Sequence, residues 1–128
     1  MSYNKMTENK TPRNAEIWMC RLPENEGSVQ SGYRPVFISS NDVNNRYSST
    51  LNIIPITSKA KKRIPVHVEL EKYQAYGLAT QSTMLIEQIT TVPISSLDRR
   101  LGKITDSETL RRISEAISIQ LPCFAVNQ

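Results

Sequence analysis

Two short apolar runs on either side of a polar stretch constrain the fold of this chain more than any other feature. The first run, Val36–Ser39, has a period of two, and the second extends from Leu51 to Ile56. The nine residues between them, 41–49, contain almost nothing that could be buried. The pattern predicts a strand, a polar loop and a second strand. A polar loop held between two core strands is placed accurately at the surface, where binding and catalytic sites are usually built.

The residues at the outer ends of these runs carry groups that suit chemistry on an anion. Arg34 stands just before the first strand, and Thr57 closes the second. If the strands pair as a hairpin, both positions lie at the same end of the sheet, and a guanidinium and a hydroxyl share one edge of a groove. Residues 59–63, which we call the basic loop, follow directly. Their position beside Arg34 and Thr57 favours phosphate binding over an ordinary solvated loop. The cations of the basic loop are Lys59, Lys61, Lys62 and Arg63.

The whole sequence has the size of one small domain. A chain of 128 residues, 38% of them hydrophobic, is expected to build one core. Residues 1–13 are polar and lack apolar periodicity, which predicts a disordered tail ahead of a domain over residues 14–122 and a short tail over 123–128. The net charge of +4 permits a polyanionic partner.

Neither a membrane span nor a disulfide is expected. No run approaches the roughly 18 apolar residues that a membrane span needs, and the N-terminus lacks an apolar signal segment. We therefore expect a cytoplasmic protein without membrane contact. Cys20 and Cys123 lie far apart in sequence and are expected to be reduced thiols.

Apolar stretches elsewhere predict four more strands and one helix. In the first strand, Trp18 and Cys20 face one way and Ile17 the other, so this strand is covered on both sides, by a barrel interior or by a partner. A capping box over residues 105–108 predicts the start of a helix that ends at Pro122. Its apolar stripe is Leu110, Ile113, Ile117 and Leu121. The four strands are expected at 16–22, 65–70, 83–91 and 101–105, with a helical turn at 95–98.

Several stretches, taken together and in order, resemble the MazF/PemK family of toxin endoribonucleases. The resemblance extends over roughly residues 15–121. The stretches are Gly-x-Arg-Pro-Val from Gly32, Ser-Asn-Asp-x-x-Asn-Arg-Tyr-Ser from Ser40, Pro-Ile-Thr-Ser from Pro55, Ile-Pro-Val-His-Val-Glu-Leu from Ile64, Leu-Ile-Glu-Gln-Ile from Leu85, and the terminal helix.

The resemblance implies a mainly β (α+β) fold, a small SH3-like antiparallel barrel of the CcdB/MazF type with a C-terminal helix, assembled as a homodimer. It implies the toxin of a type II toxin–antitoxin system, a sequence-specific endoribonuclease that cuts single-stranded RNA and is held in check by a MazE-like antitoxin. Arg34 and Thr57 match the positions that are catalytic in the family. Trp18 is implied to contact the antitoxin or the partner subunit. Gln88 falls at a position that the family associates with the substrate groove. The expected RNA contacts are Ser28, Gln30, Asn41, Arg46, Gln88 and the basic-loop residues Lys59, Lys61, Lys62 and Arg63.

The sequence offers no evident metal site or cofactor motif, so we expect neither. One histidine and two distant cysteines cannot supply the usual ligand set. RNA cleavage suits such a chain, because the substrate's own 2′-hydroxyl supplies the nucleophile. Arg34 is then expected to stabilise charge on the phosphoryl oxygens, and Thr57 to donate a hydrogen bond. The expected products are a 2′,3′-cyclic phosphate and a 5′-hydroxyl end.

Some positions depart from the family pattern and leave two alternatives open. Relatives have an acidic residue at Val29 and often an arginine at Thr90, so a homologue that binds RNA or antitoxin without cutting is one alternative. The other is a CcdB-like poison that binds DNA gyrase. CcdB-type chains depend on a C-terminal Trp-Gly-Ile, whereas this chain ends Val-Asn-Gln. Asn44 replaces a common glycine, and Ala15-Glu16 replaces Gly-Asp. His67, the only histidine, is expected to be structural, because the family keeps a histidine here that is not the base.

Overall fold

The computed structural model describes residues 11–25 and 27–123. They form one antiparallel sheet of seven strands with a C-terminal helix. The strands are β1 (Glu16–Leu22), β2 (Gly32–Ile38), β3 (Thr50–Thr57), β4 (His67–Leu70), β5 (Ser82–Leu85), β6 (Thr90–Pro93) and β7 (Leu97–Lys103). The helices are α1 (Asp42–Tyr47) and α2 (Ser107–Gln120), and three 3-10 turns cover Tyr73–Tyr76, Ile86–Gln88 and Ile94–Ser96.

Strand β3 is the centre of the sheet and confirms the predicted hairpin. It pairs antiparallel with β2 in the register Val36↔Pro55. The first half of β3 also pairs with β6, whereas Ile56 and Thr57 at its end pair with β5. The full order is β4-β5-β3-β2-β1-β7, with β6 beside β3. The mainly β fold with a terminal helix is confirmed, but within residues 11–25 and 27–123 no pairing joins β4 to β7, so the sheet is not closed into a barrel.

Two apolar clusters cover the opposite faces of the sheet. The larger cluster includes Ile17, Phe37 and Ile54 together with Ile113 of α2. The smaller cluster is Trp18, Cys20, Leu22, Val36, Ile38, Leu51, Ile53 and Val92. Alternate residues of β1 therefore enter different clusters, as the sequence predicted. The second face is covered by Val92, Ile94 and Leu97 of the same chain, so the two-sided pattern of β1 does not itself require a partner.

Residues 41–49, expected as a loop, contain the short helix α1 instead. The Asn41 side chain accepts a hydrogen bond from the Asn44 N–H at 2.8 Å and caps the helix. Asn45 is only 1% exposed, and its amide donates to the Ser40 carbonyl at 2.9 Å. Asn44, which replaces a glycine common in relatives, lies within the helix and does not have a positive φ.

Two other boundaries differ from expectation. The predicted strand 83–91 is divided into β5 and β6 by the 3-10 turn Ile86–Gln88. Helix α2 is capped by Asp106 rather than Thr105, since the Asp106 carboxylate accepts the Thr109 N–H at 3.1 Å. Ile113 of the predicted stripe is buried, whereas Leu121 lies beyond the helix and is exposed.

The remaining expectations concern Ala15, the two cysteines, a membrane span and the two ends of the chain. Ala15, where relatives carry glycine, has a φ of 73°, a left-handed conformation that costs a non-glycine residue roughly 1–2 kcal/mol. Cys20 and Cys123 are free, and burial raises the pKa of the Cys20 thiol to about 11. None of the helices in the described part of the chain is long and apolar enough to cross a membrane. Residues 1–10 and 124–128 of the predicted tails lie outside the described residues.

Candidate functional site

Arg34 and Thr57 lie at the same end of the β2–β3 hairpin, away from α1. Continuing the register Val36↔Pro55 by two residues places Arg34 across from Thr57. The Arg34 side chain is half-buried, and its Nε–H donates to the Ser31 carbonyl at 2.6 Å. A guanidinium has five N–H donors, and the terminal ones of Arg34 have no hydrogen-bond partner among the described residues. The hairpin therefore presents a cation whose orientation is set by Nε and whose remaining donors are available.

Thr57 lies below the surface rather than on an exposed groove edge. It is 2% exposed and pairs with Thr83 of β5. Its Oγ1 accepts a hydrogen bond from the Lys59 N–H at 3.2 Å. A hydroxyl has two acceptor lone pairs and one donor, so the Thr57 proton remains able to donate while the oxygen shapes the start of the basic loop.

Three predicted site residues, Ser28, Gln30 and Gln88, are brought into direct contact. Gln88 lies in the 3-10 turn between β5 and β6. Its Oε1 accepts the Gln30 N–H at 2.7 Å, and its Nε2 donates to the Ser28 carbonyl at 3.1 Å. The Gln30 side-chain Oε1 is buried and lacks a hydrogen-bond partner in the described part of the chain.

The basic loop is exposed, and His67 connects it to the fold. All four of its cations are exposed, and Arg63 Nε lies 3.4 Å from Glu69 Oε2. His67 Nδ1 lies 2.8 Å from the Lys62 carbonyl oxygen, and Nε2 lies 3.0 Å from Glu87 Oε2. Both ring nitrogens are therefore engaged within the protein, which supports the structural role predicted for this histidine. A cavity of about 190 Å³ opens beneath the loop.

Asn41 and Arg46 do not join this group. They lie at the α1 end of the hairpin, separated from Thr57 by the length of β3, which for eight residues is about 26 Å. Asn41 uses its side chain as a helix cap, and the exposed Arg46 guanidinium lies 5.7 Å from the Tyr47 ring centre. An RNA contact by either residue would be remote from Arg34.

Trp18 lies on the smaller-cluster face, at the wall of a second cavity. It is 5% exposed, and its Nε1–H donates to Glu16 Oε1 at 2.9 Å. Glu16 is itself buried and accepts from Arg100 Nε at 2.8 Å. The cavity has a volume of about 610 Å³ and includes Arg46, Ile94 and Leu97 in its lining. A partner could therefore reach Trp18 through this opening.

Ser31 and Glu16 are not among the site residues predicted from the sequence. Ser31 acts through its backbone carbonyl, which any residue type supplies, so the sequence carries no signal for it. Glu16 did carry a signal, because it stands where relatives have an aspartate, yet its contact with Trp18 needed the structure. Among residues 11–25 and 27–123, no three His, Cys, Asp or Glu side chains are grouped so that they could hold a metal ion.

Comparisons with known proteins identify the family of this chain. The model of a family described as PemK-like, MazF-like toxin of type II toxin–antitoxin system matches residues 13–121. The chain is 37% identical to Endoribonuclease MazF of Staphylococcus saprophyticus over 110 residues, which cover 85% of this chain and 90% of that relative.

Solved structures share the fold. MazF (Form-I) from Deinococcus radiodurans has a TM-score of 0.73 at 19% identity, with 88% of this chain and 98% of that chain covered. An endoribonuclease in complex with its cognate antitoxin, from a mycobacterial species, has a TM-score of 0.66 at 21% identity, with 86% and 94% covered.

Proposed function

The chain belongs to the PemK-like, MazF-like toxins of type II toxin–antitoxin systems, and we propose that it is an endoribonuclease that cuts single-stranded RNA at a specific sequence without a metal ion or cofactor. The observation that carries the proposal is the hydrogen bonding of the Arg34 guanidinium. Its Nε–H is fixed on Ser31, and its terminal donors face no protein partner within the described residues. Thr57 and the basic loop lie at the same end of the hairpin.

Cleavage proceeds by an internal transfer within the RNA. The 2′-oxygen forms a bond to the adjacent phosphorus and gives its proton to solvent water, and the bond from phosphorus to the 5′-oxygen breaks as that oxygen takes a proton from solvent water. The products are a 2′,3′-cyclic phosphate and a 5′-hydroxyl end. Because the nucleophile and the phosphorus belong to one molecule, the enzyme contributes orientation and charge stabilisation rather than a nucleophile.

Arg34 stabilises the negative charge that builds on the phosphoryl oxygens. An arginine keeps its proton at neutral pH, so Arg34 acts as a hydrogen-bond donor and a charge, not as the base that takes the 2′-proton. Two parallel N–H donors match two phosphoryl oxygens in a way that a lysine cannot. The contact with Ser31 sets the direction of this fork before the RNA arrives.

Thr57 provides a second hydrogen-bond donor at the reacting phosphate. While Oγ1 accepts the Lys59 N–H, the hydroxyl proton donates to a phosphoryl oxygen or orients the 2′-hydroxyl. Because Thr57 is buried in the free protein, this contact requires a small rearrangement when RNA binds. A neutral donor contributes less than a charged one, so Thr57 is secondary to Arg34.

The basic loop holds the RNA strand, and its exposed lysines neutralise phosphates on either side of the cut. Ser28 and Gln30, in the loop between β1 and β2, add weaker polar contacts to the strand. Asn41 and Arg46 extend contact only for a longer RNA that reaches the α1 end.

An antitoxin with an acidic, extended segment would inhibit the enzyme by covering the basic loop. Its carboxylates would meet Lys59 to Arg63, and apolar side chains would enter the cavity beside Trp18. Electrostatic steering makes such association faster at low salt. An association rate indifferent to ionic strength would contradict this role of the basic loop.

We also propose a homodimer, with basic loops from both subunits along one groove. Because β1 is covered within its own chain, the proposal rests on family membership. Light scattering at micromolar concentration is expected to give twice the chain mass of 14.5 kDa, and a monomer would contradict it.

The enzymatic proposal is tested by cleavage of a single-stranded RNA in EDTA, with sequencing of the ends. We expect wild type to cut and Arg34→Ala to be slower by roughly 10²–10³, as for loss of a preorganised donor. Arg111→Ala on the exposed face of α2 is the matched control, and circular dichroism checks folding. A requirement for added metal, or a wild-type rate for Arg34→Ala, would show the mechanism to be wrong.

A further inference from the structure

A four-residue segment of the first loop, Ser28–Ser31, is bounded by two glycines in the left-handed conformation. Gly27 has a φ of 88° and Gly32 a φ of 82°, and a Cβ on either would meet nothing within 4 Å. Glycine adopts such values without strain, so both ends of the segment can change direction. We call residues 28–31 the first-loop segment. Its position must be fixed by contacts other than its own backbone preference.

Two side chains outside the segment bind its main chain: Asn25, whose Nδ2 donates to the Gln30 carbonyl at 3.3 Å, and Gln88 from a distant part of the sequence. Gln88 accepts from the Gln30 N–H at 2.7 Å and donates to the Ser28 carbonyl at 3.1 Å. Both polar groups of its amide thus bind main-chain atoms of the first-loop segment. A side chain used in this way is not free to read a base or a phosphate while these bonds persist, in contrast to the direct RNA contact that family resemblance implies.

The other end of the segment binds Arg34. The Ser31 carbonyl accepts Nε–H of Arg34 at 2.6 Å. Because the guanidinium is planar, a bond at Nε sets the plane in which the terminal donors lie. The first-loop segment therefore links Gln88 to the plane of the Arg34 guanidinium. Hydrogen bonds hold the segment at both ends, and its backbone connects them.

We propose that Gln88 is a positioning residue for Arg34, which acts by holding the first-loop segment so that the Ser31 carbonyl fixes the guanidinium. This inference rests on the proposed ribonuclease function. Misplacing a catalytic group by about 1 Å costs on the order of 10²-fold in rate. Since loss of Gln88 leaves the segment partly ordered by Asn25 and Arg34, we expect Gln88→Ala to lower kcat by about 10- to 30-fold, below that limit, with KM within twofold.

Two substitutions separate the donor and acceptor of Gln88. Gln88→Glu keeps an acceptor for the Gln30 N–H but places a carboxylate oxygen against the Ser28 carbonyl, so we expect it to lower kcat as much as alanine does. Gln81→Ala, which replaces an exposed glutamine just before β5, is the matched control and should leave kcat unchanged. A fall in kcat at constant KM for both Gln88 variants supports positioning. A raised KM with unchanged kcat would overturn it, because that is the behaviour of a direct RNA contact.

Binding measured without cleavage gives an independent readout. In the Arg34→Ala background, adding Gln88→Ala should change the fluorescence anisotropy Kd for uncut RNA by less than twofold. A tenfold weaker Kd would assign Gln88 to RNA contact and overturn the proposal.

The Arg34 Nε–H signal in ¹⁵N NMR separates failure of this proposal from failure of the ribonuclease mechanism. We expect this proton to exchange slowly with water in wild type and at least tenfold faster in Gln88→Ala. Unchanged exchange would overturn the positioning role even if Arg34 proves catalytic. If Arg34→Ala cuts at the wild-type rate, the mechanism fails whatever the exchange rates are.

Discussion

The polar network at the start of α2 and the polar network around Arg34 differ in how completely their groups are satisfied. In the first, which we call the cap network, the Tyr76 hydroxyl lies 2.6 Å from Asp106 Oδ1 and 3.0 Å from Thr109 Oγ1. The other Asp106 oxygen accepts the Thr109 N–H and lies 3.7 Å from Lys72 Nζ. Every member has a partner within the network.

The second network, which we call the site network, consists of Gln88, the first-loop segment and Arg34. It uses both groups of the Gln88 amide and only the Nε–H of Arg34. The buried Gln30 Oε1 and the terminal donors of Arg34 have no partner among the described residues. A buried acceptor without a partner, such as Gln30 Oε1, costs free energy in the isolated protein, and a bound ligand that donates to it would remove this cost.

The pKa values of Asp106 and Tyr76 reflect the hydrogen bonds that these two side chains make within the cap network. Hydrogen bonds from the Thr109 and Tyr76 hydroxyls hold the pKa of Asp106 well below its ordinary value. Burial, and then the bond to Asp106, raise the pKa of Tyr76 to about 12. The cap network is therefore expected to stabilise the fold, and the site network to serve catalysis. Disruption of the cap network should reduce stability and spare catalysis, whereas disruption of the site network should do the reverse.

Of the variants considered, Arg34→Lys should show the largest difference between its effect on catalysis and its effect on stability. Lysine keeps the positive charge but cannot hold Ser31 and two phosphoryl oxygens at once. We therefore expect a loss of roughly 10² in kcat, with a thermal midpoint within about 2 °C of wild type. Single-turnover cleavage and differential scanning calorimetry measure the two quantities. Recovery of more than half the wild-type rate would mean that charge, rather than the fork geometry, is what the site network supplies.

The sequence predicted that Arg34 and Thr57 lie at the same end of the sheet, because pairing within a hairpin is local. The alternation in Val36–Ser39 and the run Leu51–Ile56 indicated the two strands, but not that Thr57 is buried beneath the surface. It could not predict the partners of Gln88, which lie 58 and 60 residues away and are main-chain atoms. Side-chain bonds to a distant backbone depend on the final packing and leave no periodic signal.

Short polar elements were missed for a related reason. Helix α1 has six residues and one buried side chain, Asn45, so it carries no apolar stripe. Its formation depends on the Asn41 cap and on the bond from Asn45 to Ser40. In the same way, Asp106 rather than Thr105 caps α2, because Asp106 lies where Tyr76 can also reach it.

Removing two cations from the basic loop should weaken RNA binding without lowering the rate at which bound RNA is cut. Lys61→Ala with Lys62→Ala removes two exposed charges whose side chains have no ion-pair partner among the described residues. For single-stranded RNA, the slope of log K against log salt should become about 1.4 less steep, and Kd at 0.1 M salt should rise about 10- to 30-fold.

The control for this experiment removes two cations elsewhere. Lys103→Ala with Arg111→Ala lowers the net charge by the same amount, and its salt slope should stay within about 0.3 of wild type. Equal slopes for the two double variants would mean that net charge, not the basic loop, attracts the RNA.

Thr57→Val should have a smaller effect on catalysis. Valine keeps the shape of the buried side chain but removes the donor and the acceptor of the Lys59 N–H. A neutral hydrogen bond contributes about 0.5–1.5 kcal/mol, so kcat should fall by roughly 2- to 13-fold. Thr57→Ser, which keeps the hydroxyl, should stay within twofold in the same single-turnover assay. If the serine variant is as slow as the valine variant, Thr57 acts by packing rather than by its hydroxyl.

Asp106 should show the smallest effect, on stability alone. Asp106→Ala removes the cap of α2 and should lower the free energy of unfolding by about 1 kcal/mol at pH 7. Asp106→Asn keeps an acceptor for the Thr109 N–H and should cost less. Both variants should cut RNA at the wild-type rate, because Asp106 contacts no member of the site network.

The pH dependence of Asp106→Asn completes the comparison. The folded-state pKa of Asp106 is lowered, so its charge stabilises the native state above the unfolded-state pKa of about 3.9, and that stabilisation is lost as the pH falls toward the folded-state pKa. Wild type should therefore lose more stability than Asp106→Asn between about pH 5 and pH 3. Urea denaturation at half-unit pH steps measures this. Parallel curves for the two proteins would mean that the cap network does not depend on the Asp106 charge, and its closure would then be a matter of hydrogen bonds alone.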